Sequence, residues 1–217
     1  MKKYSVEFIG TFFLTAGAIL GQGVGAALAL MIMVYAGGHI SGGHYNPAVT
    51  LSMYIRRKID SKNMIGYFIA QLIGATLVTL IIYNIFDLKG LTGDCSLDRD
   101  TLKIGLAELF GTFALCFVVL NVATAKGTAG NSFYGLAIGG TVLAMATAFG
   151  RFSGGVFNPA VGFGLAVHKS LCWSSLWIYV LAQLIGGAAA AFTFLSVNEV
   201  EEEVESIPDA DVVGKSL

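Results

Sequence analysis

Long apolar stretches without a single charge divide this chain. No Asp, Glu, Lys or Arg occurs in residues 8–55, 63–86, 109–125, 127–150 or 170–198. A bilayer core about 30 Å thick takes about 20 apolar residues as helix. Repeated runs of that length predict membrane spans near residues 5–20, 24–38, 64–86, 102–122, 132–150 and 174–197. The connection at 21–23 is short enough to make the first two an antiparallel pair, with 24–38 extended by neighbouring residues. Two further apolar stretches, 47–57 and 159–169, begin at Asn-Pro and end in or near basic residues. Each spans about 16 Å as helix, roughly half a bilayer. Lys2 and Lys3 look like the start of a signal peptide, but no polar mature segment follows the apolar stretch.

The pattern repeats. Ser41-Gly42-Gly43-His44-Tyr45-Asn46-Pro47-Ala48-Val49 matches Ser153-Gly154-Gly155-Val156-Phe157-Asn158-Pro159-Ala160-Val161 at an offset of 112, as Ala70-Gln71-Leu72-Ile73-Gly74 matches Ala182-Gln183-Leu184-Ile185-Gly186. Glu7-Phe8-Ile9-Gly10-Thr11-Phe12 resembles Glu108-Leu109-Phe110-Gly111-Thr112-Phe113 at an offset of 101, so the second half has 11 more residues between its first two spans. Three spans per half bring the second half in from the opposite side. That is an inverted repeat, whose sites lie at the midplane. The expected architecture is an all-α membrane protein of six transmembrane helices and two re-entrant half-helices. Its channel domain is expected over 1–198, with inverted halves about 1–87 and 101–198, and an acidic flexible tail over 199–217.

Asparagine is a preferred N-cap and proline fits the first helical position. Asn46-Pro47 and Asn158-Pro159 therefore read as two helix starts. Irregular backbone at membrane depth is tolerated only where it is buried in protein or lines a wet cavity. Half-helices entering from opposite faces bring together two N-termini, each worth about half a positive charge. Their field opposes cations and protons, and the two side-chain amides offer donors to a passing oxygen.

Composition sharpens this picture. The chain is 55% hydrophobic and 12% charged, against about a quarter charged in an average domain, and its mean hydropathy is +0.74. That argues against a disordered chain or an ordinary soluble domain. The 28 glycines fit re-entrant turns and close helix approach, with Gly-x-x-x-Gly spacing at Gly17, Gly21 and Gly25 and at Gly38 and Gly42. A net charge of −1 gives no pull toward nucleic acid. Seven cations (Lys2, Lys3, Arg56, Arg57, Lys58, Lys62, Lys126) against five (Lys89, Arg99, Lys103, Arg151, Lys169) orient both termini to the cytoplasm. A plasma or inner membrane is the expected location.

The tandem Asn-Pro-Ala motifs, the inverted halves and the paired Glu-x-x-Gly-Thr blocks resemble the aquaporin, or major intrinsic protein, family over about residues 4–197. The resemblance implies one pore per protomer, a homotetramer, and a central constriction at Asn46, Pro47, Ala48, Asn158, Pro159 and Ala160. It places the outer selectivity filter at Ala26, Ala146, Gly155 and Val161. Water-selective members usually carry Phe, His, a small residue and Arg there, and glycerol facilitators Trp, Gly, an aromatic and Arg. This chain has neither set. Val161 stands where the arginine is expected, as in plant vacuolar members. The loss removes a fixed charge, a ring and two donors, and implies a wide apolar filter. Expected permeants are water and small uncharged solutes: glycerol, urea, ammonia, or metalloid hydroxides such as arsenite. An alternative is that Arg151 swings into the vestibule, although a loop position favours its solvation.

Glu7 and Glu108 occupy equivalent places near span starts. The family role, with carboxylates bracing the re-entrant loops, is favoured over a helix-terminus charge effect, and His44 is expected to brace its loop as well. His39 and His168 give no signal. No cluster has zinc-ligand spacing, and no metal or cofactor is expected. Cys95 and Cys172 are expected on the outer side, where a disulfide is one option and free thiols are favoured, and Cys116 is expected as a small apolar filler. The basic run 56–58 could meet the acidic tail in the cytoplasm, but solvation is the default expectation. Competing readings are a strictly water-selective channel or an inverted-repeat secondary transporter. An enzyme is disfavoured, because no nucleophile–base pair appears.

Overall fold

The computed structural model describes residues 1–90 and 100–198. The elements are α1 (Lys2–Ser41), α2 (Pro47–Ile55), α3 (Ser61–Asn84), α4 (Thr101–Thr124), α5 (Tyr134–Ser153), α6 (Pro159–Val167) and α7 (Leu176–Val197). Short 3-10 turns lie at Lys126–Thr128 and Trp173–Ser175. With 40 residues, α1 is far too long for one crossing. It breaks at Gln22, where φ 51° and ψ −144° are not helical, and folds back on itself. A Cβ added to Gly17 would lie 2.4 Å from the Gly25 carbonyl oxygen. The two arms of α1 are thus two crossings, and α3, α4, α5 and α7 are four more. The expected three-residue connection shrinks to a single non-helical residue, and the second arm runs on to Ser41.

Gly42 and Gly154 end α1 and α5 in the left-handed conformation, with φ 89° and 91°. Beyond them the chain turns into α2 and α6. Asn46 and Asn158 cap these helices from extended backbone, their side-chain oxygens accepting from Ala48 N at 2.8 Å and Ala160 N at 3.0 Å. Each half-helix has 9 residues rather than the expected 11 or so. Arg57 and Lys169 adopt left-handed φ values of 62° and 66° and cannot continue the helix.

The two halves pack alike. Gly74 lets α3 approach the first arm of α1, where a Cβ would lie 2.4 Å from Phe8 O. Gly186 lets α7 approach α4 in the same way, 2.6 Å from Leu109 O. Polarity is inverted relative to a water-soluble protein: Glu7, Gln71, Glu108 and Gln183 are buried, while Ile9, Phe13, Ile69, Phe110 and Phe192 face outward. That arrangement suits hydrocarbon as the surrounding solvent.

Two expectations are corrected. Arg56 is not solvated; it is buried beneath α2 with its guanidinium carbon 5.3 Å from the Phe194 ring centroid, where a cation also complements the helix C-terminus. Arg57 and Lys58 remain exposed. Cys172 is disulfide-bonded rather than a free thiol; Cys95 lies outside the described residues, as does the acidic tail 199–217. Cys116 is free and buried.

Candidate functional site

The re-entrant loops are held by two buried carboxylates. Glu7 Oε1 accepts from Ser41 Oγ (2.7 Å) and His44 N (3.0 Å), and its Oε2 from Tyr45 N (2.7 Å) and Gln71 Nε2 (2.8 Å). Glu108 repeats the arrangement. Its Oε1 accepts from Ser153 Oγ (2.6 Å) and Val156 N (3.0 Å), and its Oε2 from Phe157 N and Gln183 Nε2 (both 2.7 Å). A buried loop otherwise strands backbone donors, and four donors per carboxylate satisfy these. Tyr67 and Tyr179 hydroxyls donate to the Ser41 and Ser153 carbonyls at 2.6 and 2.7 Å.

The aromatic residue before each asparagine is fixed as well. Tyr45 and Phe157 both have φ 50°, uncommon for non-glycine residues. Their rings lie on Gly10 and Gly111, where an added Cβ would come within 2.1 Å. The Glu-x-x-Gly block thus supplies both the acceptor and the gap. Sequence reasoning passed over the roles of Gly10, Gly111, Ser41, Ser153, Tyr67, Tyr179, Gln71 and Gln183. All of them recur at the repeat offsets, which was the signal available.

The loops lock onto each other at the centre. Asn46 Nδ2 donates to Phe157 O and Asn158 Nδ2 to Tyr45 O, both at 2.9 Å. Each amide keeps one further N–H, since an asparagine carries two donors. Both asparagines line a cavity of about 550 Å³ that also contains Ala26, Ala146, Gly155 and Val161. Among the described residues, no Asp, Glu, Lys or Arg lines it. Pro47, Pro159, Ala48 and Ala160 are buried behind the asparagines at the helix starts.

A second cavity, of about 1350 Å³, opens toward the end of the molecule that carries Lys3, His39, Arg57, Lys58 and Lys126. His44, Val119 and Ile138 line both cavities, so the two meet there. Asp60, at the mouth of the second, is held below the usual carboxylate range by hydrogen bonds from the backbone and side chain of Asn63. The His44 ring reaches Thr50 Oγ1 through Nδ1 at 3.1 Å. His168 is buried at the end of α6, with Nε2 2.9 Å from Leu88 O and Nδ1 2.7 Å from Ser170 Oγ. Arg151 is exposed, its guanidinium carbon 4.6 Å from the Phe152 ring centroid, and it lines a separate pocket beside the first cavity.

Comparison with known proteins gives this geometry its context. The family model for the major intrinsic protein family matches residues 1–194. The Glycerol uptake facilitator protein-like 6 of Lactiplantibacillus plantarum is 38% identical over 208 residues, covering 88% of this chain and 96% of that one. Aquaporin NIP3-1 of Arabidopsis thaliana is 32% identical over 230 residues, covering 95% and 71%. The X-ray structure of the aquaglyceroporin from Plasmodium falciparum superposes with a TM-score of 0.74 over 89% of this chain and 94% of that one. At 22% identity, that last likeness speaks for the fold. With two capped half-helices meeting inside six crossings, this chain belongs to the major intrinsic protein family, whose members are membrane channels for water and small solutes rather than enzymes.

Proposed function

We propose that this channel passes small uncharged solutes larger than water through a wide apolar filter at Ala26, Ala146, Gly155 and Val161. One observation carries the reading: among the described residues, no charged side chain lines the cavity that contains these four residues and both asparagines. Glycerol, urea, ammonia and neutral metalloid hydroxides such as arsenite are the candidate permeants. The name of the Lactiplantibacillus relative, a glycerol uptake facilitator, supports the first of these. Glu7, Glu108 and His44 act as loop braces. The paired starts of α2 and α6, with Asn46 and Asn158, oppose protons and cations through the summed helix dipoles. Assembly as a homotetramer, both termini in the cytoplasm, and an acidic tail at 199–217 belong to the same proposal.

A secondary transporter would carry an intramembrane carboxylate available to a coupling ion. Glu7 and Glu108 each accept four hydrogen bonds from their own loops and helices, which favours the passive channel.

The test is liposome swelling with water, glycerol, urea and arsenite, on wild type and Val161→Arg. Arginine is expected to cut the larger solutes about tenfold, equivalent to about 1.4 kcal/mol in the barrier, while water flow persists. A wild type that passes only water overturns the wide filter.

A further inference from the structure

Gln22 stands at the fold-back of α1 in a conformation suited to glycine. Its φ of 51° and ψ of −144° lie where side chains are disfavoured, and glycine would adopt them without steric cost. Glycines flank it on both sides at Gly21 and Gly23, yet the strained position itself carries a polar side chain. Observed strain of this kind points to a use at that place.

Contacts lead from this turn to the narrow part of the passage. A Cβ on Gly23 would lie 2.8 Å from Ala146 Cβ, and one on Gly155 would lie 3.3 Å from the same atom. Gln22 lines the cavity that also contains Ala146, Gly155 and Val161. Those three side chains offer a solute no hydrogen bond. Thr147 and Ser170, polar residues on the same wall, are engaged: Thr147 Oγ1 donates to Leu143 O at 2.8 Å, and Ser170 Oγ lies 2.7 Å from His168 Nδ1. Gln22 is exposed at the fold-back, and among the described residues its carboxamide has no hydrogen-bond partner in the protein.

We propose that Gln22 is a specificity-determining residue at the channel entrance, its carboxamide selecting over water those neutral solutes whose donor and acceptor sit on separate atoms, so that one carboxamide meets both at once, amides and polyols above all. A solute entering an apolar stretch gives up hydrogen bonds to water, which costs free energy unless they are replaced. A carboxamide replaces one of each kind at the threshold. The inference rests on the wide-passage reading proposed above.

The experiment compares wild type, Gln22→Gly and Gln22→Asn in proteoliposomes at matched incorporation, measuring water, urea and glycerol permeability together with thermal stability. Gln22→Gly relieves the backbone, so its stability is expected to hold or rise. Its urea and glycerol permeabilities are expected to fall roughly threefold to tenfold relative to water, the scale of one lost hydrogen bond. Gln22→Asn keeps the amide in a residue that tolerates left-handed backbone and is expected to retain more selectivity than Gln22→Gly. If wild type passes urea and Gln22→Gly leaves the urea-to-water ratio unchanged, or lowers both together, the role of Gln22 is overturned. If wild type passes neither urea nor glycerol, the wide-passage reading fails and this inference fails with it.

Discussion

The two re-entrant loops share a skeleton and differ in dressing. Both have a serine, a carboxylate with four donors, a glutamine, a tyrosine hydroxyl on the turn and an asparagine cap. Only the first adds a polar mesh. Thr50 Oγ1 lies 3.1 Å from His44 Nδ1, accepts from Gln71 Nε2 at 3.0 Å, and is 3.0 Å from Asn46 O. The second half has Val156 and Gly162 at the equivalent places. Tyr45 adds a hydroxyl bond to Met33 O at 2.9 Å, which Phe157 cannot make. Groups that hold backbone are duplicated, whereas His44 and Val156, which line the cavities, diverge. A pseudo-symmetric scaffold thereby carries an asymmetric passage.

Removing a carboxylate tests this comparison most severely. Each unsatisfied buried donor costs about 1–3 kcal/mol, so Glu108→Ala is expected to lose more than about 3 kcal/mol and to abolish a monodisperse tetramer or monomer in detergent. Glu7→Ala should be milder, because Gln71 still has Thr50 as an acceptor whereas, among the described residues, no such second acceptor serves Gln183. Equal behaviour of the two variants in size-exclusion chromatography would break the asymmetry.

Filling the gaps beneath the aromatic rings comes next. Gly10→Ala and Gly111→Ala each force a Cβ into a ring, an overpacking cost of about 1–3 kcal/mol. Tyr45 is also tied through its hydroxyl, so Gly10→Ala should lower the melting temperature more than Gly111→Ala does. The smallest effect belongs to Tyr45→Phe, which makes the first loop resemble the second. It should cost about 0.5–1 kcal/mol and leave water permeability within measurement of wild type. A shift larger than that of Gly10→Ala would mean the hydroxyl anchors more than its own loop.

Much of this was legible in the chain. Charge-free runs exposed the crossings, and the offset of 112 exposed the half-helices, because both follow from solvent and symmetry rather than from contacts. The end of the second crossing was not legible: Ser41 must stay in the helix to reach Glu7, a partner 34 positions away. The burial of Arg56 depended on Phe194 from the far end of the chain, and no local pattern reports that pairing. Gln71 and Gln183 were visible as repeats, but a buried amide acquires a meaning only when its acceptor on another helix is known. Gln22 was hidden by its glycines, since the whole 21–23 segment reads simply as a turn.

The crossed bonds from Asn46 to Phe157 and from Asn158 to Tyr45 bear on how the molecule is made. They join residues 111 and 113 positions apart, so the first loop emerges from synthesis long before its counterpart exists. Until then the Asn46 amide and the Tyr45 carbonyl must find temporary partners, because stranding them in hydrocarbon is costly. Neither half is complete as a separately folded unit. Closure of the centre is a late event that brings both halves together, and a chain stopped before Phe157 would have a first half with nothing to hold its tip.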